Sequence, residues 1–354
     1  MRKSVFTALL AVVLLCSCGR TQKYVVGFYN LENLFDTVDD PAVNDEEFLP
    51  EGRNHWTQDK YEVKLRNIAS VIEAMKEENG VFHTVLGVSE VENAGVLEDL
   101  VAEPGIAPAG YEIVHYDSPD RRGIDVALLY RPDQFELLDS EAIPFSFDDT
   151  EVDITLSPEE QADFRTRDIL MARGLLGGEQ FAFYVAHLPS RVGGKGGDLR
   201  SLGAEIIYNH SQALMQEFPG IKIVVMGDMN DNPTDVSMTE WMHAEEDIDE
   251  VDSRAGYFSP FTQLLEDGYG SLEYRGEWNI YDIILVNYDL AAAPDGGLHI
   301  LETGDEGYYG CVFSRPFMVQ QSGRFAGTPF RSFSYGEFIG GYSDHYPTYI
   351  VIGR

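Results

Sequence analysis

Residues 222–233 read KIVVMGDMNDNP, and this stretch carries the strongest structural signal in the chain. Its first five residues are mostly β-branched or apolar, which predicts a short buried strand. Asp228 and Asn230 follow two residues apart, so both side chains can point to the same side of an extended chain and hold or orient one water molecule or metal ion. We therefore expect a strand that ends in catalytic groups, with an ordinary turn as the alternative.

Similar short runs along the rest of the chain indicate the fold class. Between them, residues 61–75 and 199–218 show the three-to-four-residue apolar spacing of helices; Asp59 is a possible N-terminal cap of the first, and Pro219 ends the second. Alternating strands and helices predict a layered α/β domain, which we expect to extend over residues 24–354 without a linker or repeat. The predicted strands are 24–29, 84–88, 126–130, 181–186, 222–226, 281–286 and 348–352.

The composition is that of a folded and very acidic protein. The 354 residues are 44% hydrophobic and 24% charged, which excludes global disorder. The formal net charge is −35, so the general surface charge will not hold the chain on nucleic acid or on an anionic membrane. A polyanionic substrate would have to be captured locally, by a metal ion or by a few placed cations.

The N-terminus has the pattern of a bacterial export signal. Arg2 and Lys3 precede an apolar run over residues 5–16, which is shorter than the ~20 residues that span a bilayer. Small residues follow the run, as they do before a cleavage site. We therefore expect residues 1–17 to be a signal peptide that is removed from an exported protein.

Residues 15–19 add a more specific expectation, because they resemble a lipobox. Cys18 follows a small residue and is the expected lipidation site; Cys16 is the second candidate, and a plain secretory signal is the alternative. Residues 18–23 would then form a short tether. The protein would be lipid-anchored to a bacterial membrane, at the periplasmic face or at the cell surface.

Polar residues end two of the other predicted strands. Asn30 follows the strand at 24–29, and Glu90 follows the strand at 84–88. A carboxylate close behind a buried strand is a good ligand for a hard cation. Taken alone, each residue fits an ordinary strand-end turn or an exposed loop acid equally well.

His187 ends the predicted strand at 181–186 and is followed by a cationic, glycine-rich segment. Arg191, Lys195 and Arg200 lie within ten residues of one another, which is unusual in so acidic a chain. Cations beside accessible backbone amides suit a phosphate group. The alternatives are a core histidine and a flexible, solvated loop.

The last strand is preceded by Asp344 and His345, a pair that can place one side chain on a metal ion and the other on a reacting oxygen. Asp282 is an acid within the otherwise apolar run 281–286. A buried carboxylate needs a partner, and His345 is the one we expect.

Together and in this order, these segments resemble the endonuclease/exonuclease/phosphatase superfamily over about residues 24–352. Residues 29–36, 122–127 and 341–345 more narrowly resemble a group of secreted bacterial members, many of them lipoproteins. The resemblance implies an α/β (α+β) fold, a four-layer sandwich of two packed mixed β-sheets flanked by helices, with the site at one end of the sheets. The residues that carry it are Asn30, Glu90, His187, Asp228, Asn230, Asp282, Asp344 and His345.

The same resemblance implies a role for each of these residues. It implies a divalent cation, normally Mg²⁺ with Mn²⁺ also possible, held mainly by Glu90 with support from Asn30 and Asp344. Asp228 would activate or orient the attacking water. The remaining roles are phosphate contact by Asn230, and phosphate binding with proton transfer by His187 and by His345 paired with Asp282.

The expected function is in-line attack of water at phosphorus by an exported, metal-dependent phosphoester hydrolase. The substrate could be nucleic acid, phospholipid or a small phosphoester, and no obligate protein partner is predicted. Arg122 could bind a phosphate or be a surface charge, and Asp120 and Asp125 are both candidates for the acid beside His187. The alternative is a non-catalytic binding lipoprotein that keeps the fold.

Overall fold

Eighteen strands form in the part of the chain that the computed structural model describes, residues 23–192, 196–303 and 307–354. In chain order they are β1 (Tyr24–Leu34), β2 (Val85–Val91), β3 (Glu112–His115), β4 (Asp125–Tyr130), β5 (Phe135–Ile143), β6 (Ile169–Leu176), β7 (Glu179–His187), β8 (Lys222–Asp228), β9 (Ala244–Glu245), β10 (Tyr257–Phe258), β11 (Leu272–Tyr274), β12 (Glu277–Asn279), β13 (Asp282–Asn287), β14 (His299–Leu301), β15 (Gly310–Val312), β16 (Phe333–Ser334), β17 (Glu337–Phe338) and β18 (Thr348–Gly353).

The long strands build two mixed sheets that pack face to face. The first sheet has the order β14-β18-β1-β2-β4-β3, with β15 also paired to β18. The second sheet has the order β5-β6-β7-β8-β13-β10-β9, and its central strands contact β1, β2 and β4 of the first sheet. The remaining strands form two small hairpins, β11-β12 and β16-β17.

Helices cover the outer faces of the sheets, which completes the predicted four layers. Val25 and Tyr29 of β1 point outward and pack against helical residues such as Ile68, whereas Val26 and Phe28 point inward to the second sheet. The fold class predicted from the sequence is therefore confirmed. The helices are α1 (Gln58–Asn79), α2 (Ala94–Ala102), α3 (Pro158–Asp163), α4 (Gly197–Glu217), α5 (Thr262–Glu266) and α6 (Tyr288–Ala291); α1 and α2 pack on the first sheet, and α4 packs on the second.

Strand direction decides where polar side chains meet. β1 and β2 are parallel, and so are β7 and β8, whereas β18 and β13 run antiparallel to β1 and β8 respectively. The final residues of four strands and the segments that enter two others therefore meet at one end of the sandwich. In the second sheet the register places His187, Asp228 and Asp282 side by side on three adjacent strands.

Two predicted boundaries need correction. β1 and β2 continue to Leu34 and Val91, each with an irregularity in register, so Asn30 and Glu90 lie within strand ends and not beyond them. Asp59 is not the cap of α1: the capping position is Thr57, and Asp59 lies in the first turn, where its charge still favours the positive end of the helix.

The predicted signal peptide, most of the tether and the lipidation site Cys18 fall on residues 1–22, outside the described residues, so these calls stay predictions. Among the residues that are described, no helix is long and apolar enough to cross a membrane.

Candidate active site

Asn30 connects the two sheets at the end where the polar residues meet. Its Nδ2 donates hydrogen bonds to Asp228 Oδ2 at 3.0 Å and to Glu90 Oε1 at 3.4 Å. Its Oδ1 accepts a hydrogen bond from the backbone N–H of Glu32 at 2.9 Å. Because the amide nitrogen faces both carboxylates, Asn30 positions these two acids. Only its side-chain oxygen could bind a metal ion, as predicted, and that oxygen already accepts the N–H of Glu32.

Backbone strain is concentrated around these residues. Four residues have φ between 49° and 59°, in the left-handed region that residues other than glycine rarely adopt: Glu32, Asn33, Glu90 and Asn230. Each such residue costs about 1–3 kcal/mol unless its surroundings compensate. The strained residues lie at the ends of β1, β2 and β8. There the unusual backbone conformation directs the polar side chains toward a common cleft.

Glu90 is held by the backbone of the neighbouring strand end. The N–H of Asn33 donates to Glu90 Oε2 at 2.9 Å, and Glu90 Oε1 lies 3.9 Å from His187 Nε2. The side chain is 16% exposed, so the carboxylate reaches the cleft. Asp344, on the segment that enters β18, is one-third exposed and lies 3.9 Å from His345 Nε2.

Asp228 lies deeper, between both histidines. Its Oδ2 is 3.6 Å from His187 Nε2 and 3.9 Å from His345 Nε2, while its Oδ1 accepts the backbone N–H of Asn230 at 3.0 Å. Burial raises the pKa of Asp228 to about 7, against the opposing effect of His345. A carboxyl group with a pKa near neutrality can take a proton from water and release it again.

His345 is paired with Asp282, as predicted. Its Nδ1 is 2.8 Å from Asp282 Oδ2, and both side chains are buried. Burial alone would lower the pKa of His345, but the charges of Asp282 and Asp228 raise it well above its ordinary value. Ser343 fixes this segment by donating to the carbonyl of Asn30 at 2.7 Å and accepting the N–H of His345.

His187 has the opposite electrostatic environment. Burial lowers its pKa well below the ordinary value, and the guanidinium groups of Arg167 and Arg122 lower it further. His187 is therefore neutral where His345 is charged. Since its Nε2 faces two carboxylates, we assign the ring proton to Nε2; Nδ1 has no hydrogen-bond partner among the described residues.

Neither candidate acid for His187 is its partner. Asp120 lies 3.2 Å from Arg167, and Asp125 accepts hydrogen bonds from the N–H of Ser118 and from His115. Together with Asp117, His115 and Asp125 bring potential ligand atoms within 4.8 Å of one another, on β3, on β4 and in the loop between them, and none of the three was among the predicted metal ligands.

Arg191 is engaged by acids, which corrects the expectation that it is available to substrate. Its guanidinium forms ion pairs with Asp231 and Asp235, and its Nε donates to the carbonyl of Asn230 at 2.7 Å. Arg191 thus fixes the loop after β8. Asn230 in turn donates through Nδ2 to the carbonyl of Leu188 at 3.0 Å, so its phosphate contact stays a prediction.

The other two predicted cations differ from Arg191. Arg122 keeps about half of its side chain exposed, and the nearest acid, Asp120, is 3.7 Å away. Arg122 can therefore turn toward a ligand. Lys195 lies outside the described residues, so its predicted phosphate contact stays untested.

Sequence reasoning missed a buried arginine. Arg167 is 7% exposed and donates to the backbone carbonyls of His187 and Leu188 at 3.0 and 2.8 Å. It thereby fixes the end of β7, and its charge adds to the effect of burial in keeping His187 neutral. Nothing in the local sequence around Arg167 distinguishes it from a surface arginine.

A buried lysine and a buried glutamate under the cleft were also missed. The carboxylate of Glu32 accepts the backbone N–H groups of Ser332 and Phe333, and Lys64 Nζ donates to Ser332 Oγ at 2.6 Å. Burial raises the pKa of Glu32 and lowers that of Lys64, while each charge favours the ionised form of the other. A signal existed, because Lys64 follows Tyr61 by three residues on the apolar side of α1.

The donor set of the cleft suits a hard divalent cation. Glu90, Asp228 and Asp344 offer carboxylate oxygens, the ligands that Mg²⁺ prefers. Within the described ranges, no lysine or arginine forms an ion pair with any of the three. Asp228 and Asp344 have the charged imidazole of His345 at 3.9 Å, so a bound cation would relieve the repulsion that one positive charge leaves among three acids.

Comparison with known proteins places the sequence in a described family. A sequence model of the endonuclease/exonuclease/phosphatase family matches residues 25–354. No curated protein matches the chain.

Among solved structures, the fold is similar to three proteins of 14–16% identity. A mannosyl-6-phosphatase from Bacteroides thetaiotaomicron is 15% identical, with a TM-score of 0.53 over 93% of this chain and 99% of that one. The human nocturnin catalytic domain with bound sulfate is 16% identical, with a TM-score of 0.53 over 93% and 94%. D. rerio TDP2 in complex with a single-strand DNA product is 14% identical, with a TM-score of 0.53 over 94% and 99%.

Proposed function

The chain belongs to the endonuclease/exonuclease/phosphatase family, and from that membership we propose that it is a divalent-metal-dependent phosphoester hydrolase. One observation carries the proposal: a neutral histidine and a charged histidine flank the same carboxylate, Asp228, at 3.6 and 3.9 Å. A carboxylate that can accept a proton beside a charged histidine that can donate one is what acid–base chemistry at a phosphoester requires.

We propose Mg²⁺ as the cation, with Mn²⁺ as a substitute. Glu90 and Asp344 would hold it, and Asn30 would keep Glu90 and Asp228 in place. When bound, the cation supplies positive charge that offsets the negative charge on the phosphoryl and leaving oxygens.

The residues of the chain then divide the proton transfers. Asp228 accepts a proton from the attacking water, whose oxygen forms the new bond to phosphorus in line with the ester oxygen that departs. His345, held by Asp282, donates its Nε2 proton to the departing oxygen. His187 donates a hydrogen bond from neutral Nε2 to a phosphoryl oxygen, and Arg122 adds a charge at the mouth of the cleft.

The substrate classes considered are nucleic acid, phospholipid and small phosphoesters. The similar structures are a mannosyl-6-phosphatase, a sulfate-bound nocturnin domain and TDP2 with a DNA product, so the fold alone does not choose. The net charge of −35 favours a small phosphoester, because counterion release would contribute little to holding a long polyanion.

We also propose that the protein is exported and anchored through a lipid on Cys18. The support is the sequence of residues 1–19: two cations, a short apolar run and a lipobox-like segment. Incorporation of labelled palmitate in bacteria expressing the full chain tests this proposal. Cys18→Ala should abolish labelling, and continued labelling of that variant would contradict the assignment.

Hydrolysis by the purified protein tests the catalytic proposal. The substrates are p-nitrophenyl phosphate, bis-p-nitrophenyl phosphate, plasmid DNA and sphingomyelin, each assayed with Mg²⁺ and with excess EDTA. Glu90→Ala should abolish turnover, whereas Glu98→Ala, an exposed glutamate on α2, should leave it within twofold.

Two outcomes would contradict the proposal. Turnover that survives both EDTA and Glu90→Ala would show that the site assignment is wrong. A folded protein that hydrolyses no phosphoester with either Mg²⁺ or Mn²⁺ would favour the alternative, a binding lipoprotein that keeps the fold without catalysis.

A further inference from the structure

A cavity of about 440 Å³ opens directly beside the proposed metal site. Asn33 lines it, and the backbone N–H of the same residue donates to the Glu90 carboxylate. Arg122 also lines it, and the charge of Arg122 acts on His187. The cavity therefore adjoins the position that the phosphate of a bound ester would occupy. The group esterified to that phosphate could extend into it.

The polar side chains on the cavity wall are available to a ligand. Within the described residues, the side chains of Asn33, Asn44 and Glu46 have no hydrogen-bond or ion-pair partner. An amide can donate and accept, and a carboxylate accepts, so the three together match a ligand that offers several hydroxyl groups.

The cavity also has one apolar wall. The ring of Phe48 stacks on Phe35, with centroids 4.1 Å apart and an interplanar angle of 3°, and both line the cavity. An aromatic surface beside amides and carboxylates suits a ring that is polar at its edge and carries C–H groups on its face.

The two walls are held in place by the backbone. The N–H of Asn44 donates to the carbonyl of Arg121 at 2.8 Å, which joins the acidic loop to the turn that carries Arg122. Gly123 in that turn has φ +73°, and a Cβ there would lie 2.7 Å from Val43. The turn and the loop approach so closely that only glycine fits, so the cavity is formed before a ligand arrives.

Charge limits what the cavity can accept. Glu46 and Glu47 lie on its wall, and the loop that carries them also contains Asp36, Asp40 and Asp45. Among the described residues Arg122 is the one cation on the wall, and its charge acts on His187 of the cleft. A second phosphate would meet like charges here, whereas a neutral group would not.

We infer that this cavity binds the alcohol portion of the substrate and that this portion is a neutral polyhydroxylated ring, which makes the substrate a sugar phosphate monoester. The inference rests on the proposed hydrolase function and names its substrate class. A nucleic-acid strand would place further phosphates against Glu46 and Glu47. A phospholipid would need a longer apolar surface than two phenylalanines provide.

The test compares catalytic efficiency on two phosphomonoesters, mannose 6-phosphate or glucose 6-phosphate and p-nitrophenyl phosphate. The wild type should prefer the sugar phosphate by tenfold or more in kcat/KM. Asn44→Ala should reduce this preference about tenfold, the usual consequence of losing one or two hydrogen bonds. Glu46→Ala should act in the same direction and serves as the second variant.

A matched control and a charge reversal sharpen the test. Asn209→Ala, at an exposed asparagine of α4 outside the cavity, should leave the preference unchanged. The double variant Glu46→Lys/Glu47→Lys should raise the relative kcat/KM for a hexose bisphosphate by about tenfold, because the repulsion of a second phosphate becomes attraction.

The results separate this inference from the proposed function. Turnover of bis-p-nitrophenyl phosphate or DNA with no preference for sugar phosphates would overturn the sugar inference and leave the hydrolase proposal standing. If nothing is hydrolysed, the hydrolase proposal fails, and calorimetry with glucose 6-phosphate and inorganic phosphate decides the inference. Tighter binding of the sugar phosphate, weakened by Asn44→Ala, supports it, and equal binding overturns it.

Discussion

The two sheets supply halves of the cleft that differ in how their charges are balanced. On the side of the first sheet, Glu90 and Asp344 are partly exposed and form no ion pair with a lysine or arginine in the described residues. On the side of the second sheet, Asp282 is fully buried and matched with the imidazole of His345, which the segment before β18 brings to it from the first sheet. The first half is therefore complete only with a cation, whereas the second half is organised by the protein alone.

This difference separates two properties that activity assays combine. Changes in the first half should affect cation binding and turnover together. Changes in the second half should affect turnover and leave cation binding intact.

The largest effect is expected from Glu90→Gln. The amide keeps the shape of the side chain and can still accept the N–H of Asn33, but it loses the charge. We expect turnover to fall about 1,000-fold, roughly 4 kcal/mol of transition-state stabilisation, and Mg²⁺ binding measured by calorimetry to disappear. Unchanged Mg²⁺ affinity in a folded variant would contradict the assignment of this half to the cation.

Asp282→Asn should break the other half. His345 would lose its charged partner at 2.8 Å, so its Nε2 would be a weaker proton donor. We expect turnover to fall by about 100-fold, roughly 3 kcal/mol, with Mg²⁺ affinity within twofold of the wild type. Asp153→Asn, at an exposed aspartate, is the control for both measurements. Loss of Mg²⁺ binding in Asp282→Asn would show that the two halves are not separable.

Lys64→Met removes the cation that lies beneath the first half. Lys64 is 0% exposed, and without it the buried carboxylate of Glu32 would lack its nearby positive charge. We expect a loss of about 3 kcal/mol in the free energy of unfolding, measured with urea, because an uncompensated buried charge remains. Arg66→Met, exposed on the same helix, should change it by less than about 0.5 kcal/mol. Equal effects of the two variants would contradict this role.

The smallest expected effect is on the pH dependence of stability, and it comes from His83, a buried histidine that has no acid beside it. His83 is fully buried near Gly27, and burial lowers its pKa to about 3. Because the unfolded chain binds this proton at about pH 6.5, His83 favours folding above that pH, and the contribution is lost as the pH falls toward 3.

The measurement is urea unfolding at pH 7.5 and at pH 5. Between pH 6.5 and 5 the wild type should lose about 2 kcal/mol through His83, and His83→Leu should lack that loss. Parallel pH dependence in the two proteins would contradict the assignment. His345 is buried like His83 but has carboxylates beside it, Asp282 foremost, and their charges reverse the direction of its pKa shift.

Local patterns were sufficient for seven of the eighteen described strands and for the residues at their ends, but they missed long strands such as β5 and β6. The runs at 222–226 and 348–352 predicted β8 and β18, and the pairing of Asp282 with His345 was expected because an acid in a buried strand needs a partner. The role of Arg191 was wrongly expected, because its partners Asp231 and Asp235 lie some forty positions away and only folding brings them to it.

The supporting residues could not be placed for the same reason. Lys64 and Ser332 are 268 positions apart, and Arg167 reaches His187 across adjacent strands. Periodicity reports which face of an element is buried, but it does not report which distant segment covers that face. Glu32 lies two residues after Asn30, inside a stretch that sequence reasoning singled out, yet its contacts depend on the folding of residues 328–343.

The strained backbone at the strand ends has a consequence for anyone who engineers this protein. Asn33 would be a natural first choice for a thermostabilising change, because glycine adopts its φ of 55° without penalty. Yet its side chain lines the cavity beside Glu90, so Asn33→Gly would exchange a recognition group for resistance to heat. Selection for thermal stability alone could therefore lower substrate selectivity. Screens of variants should measure thermal stability and substrate preference together.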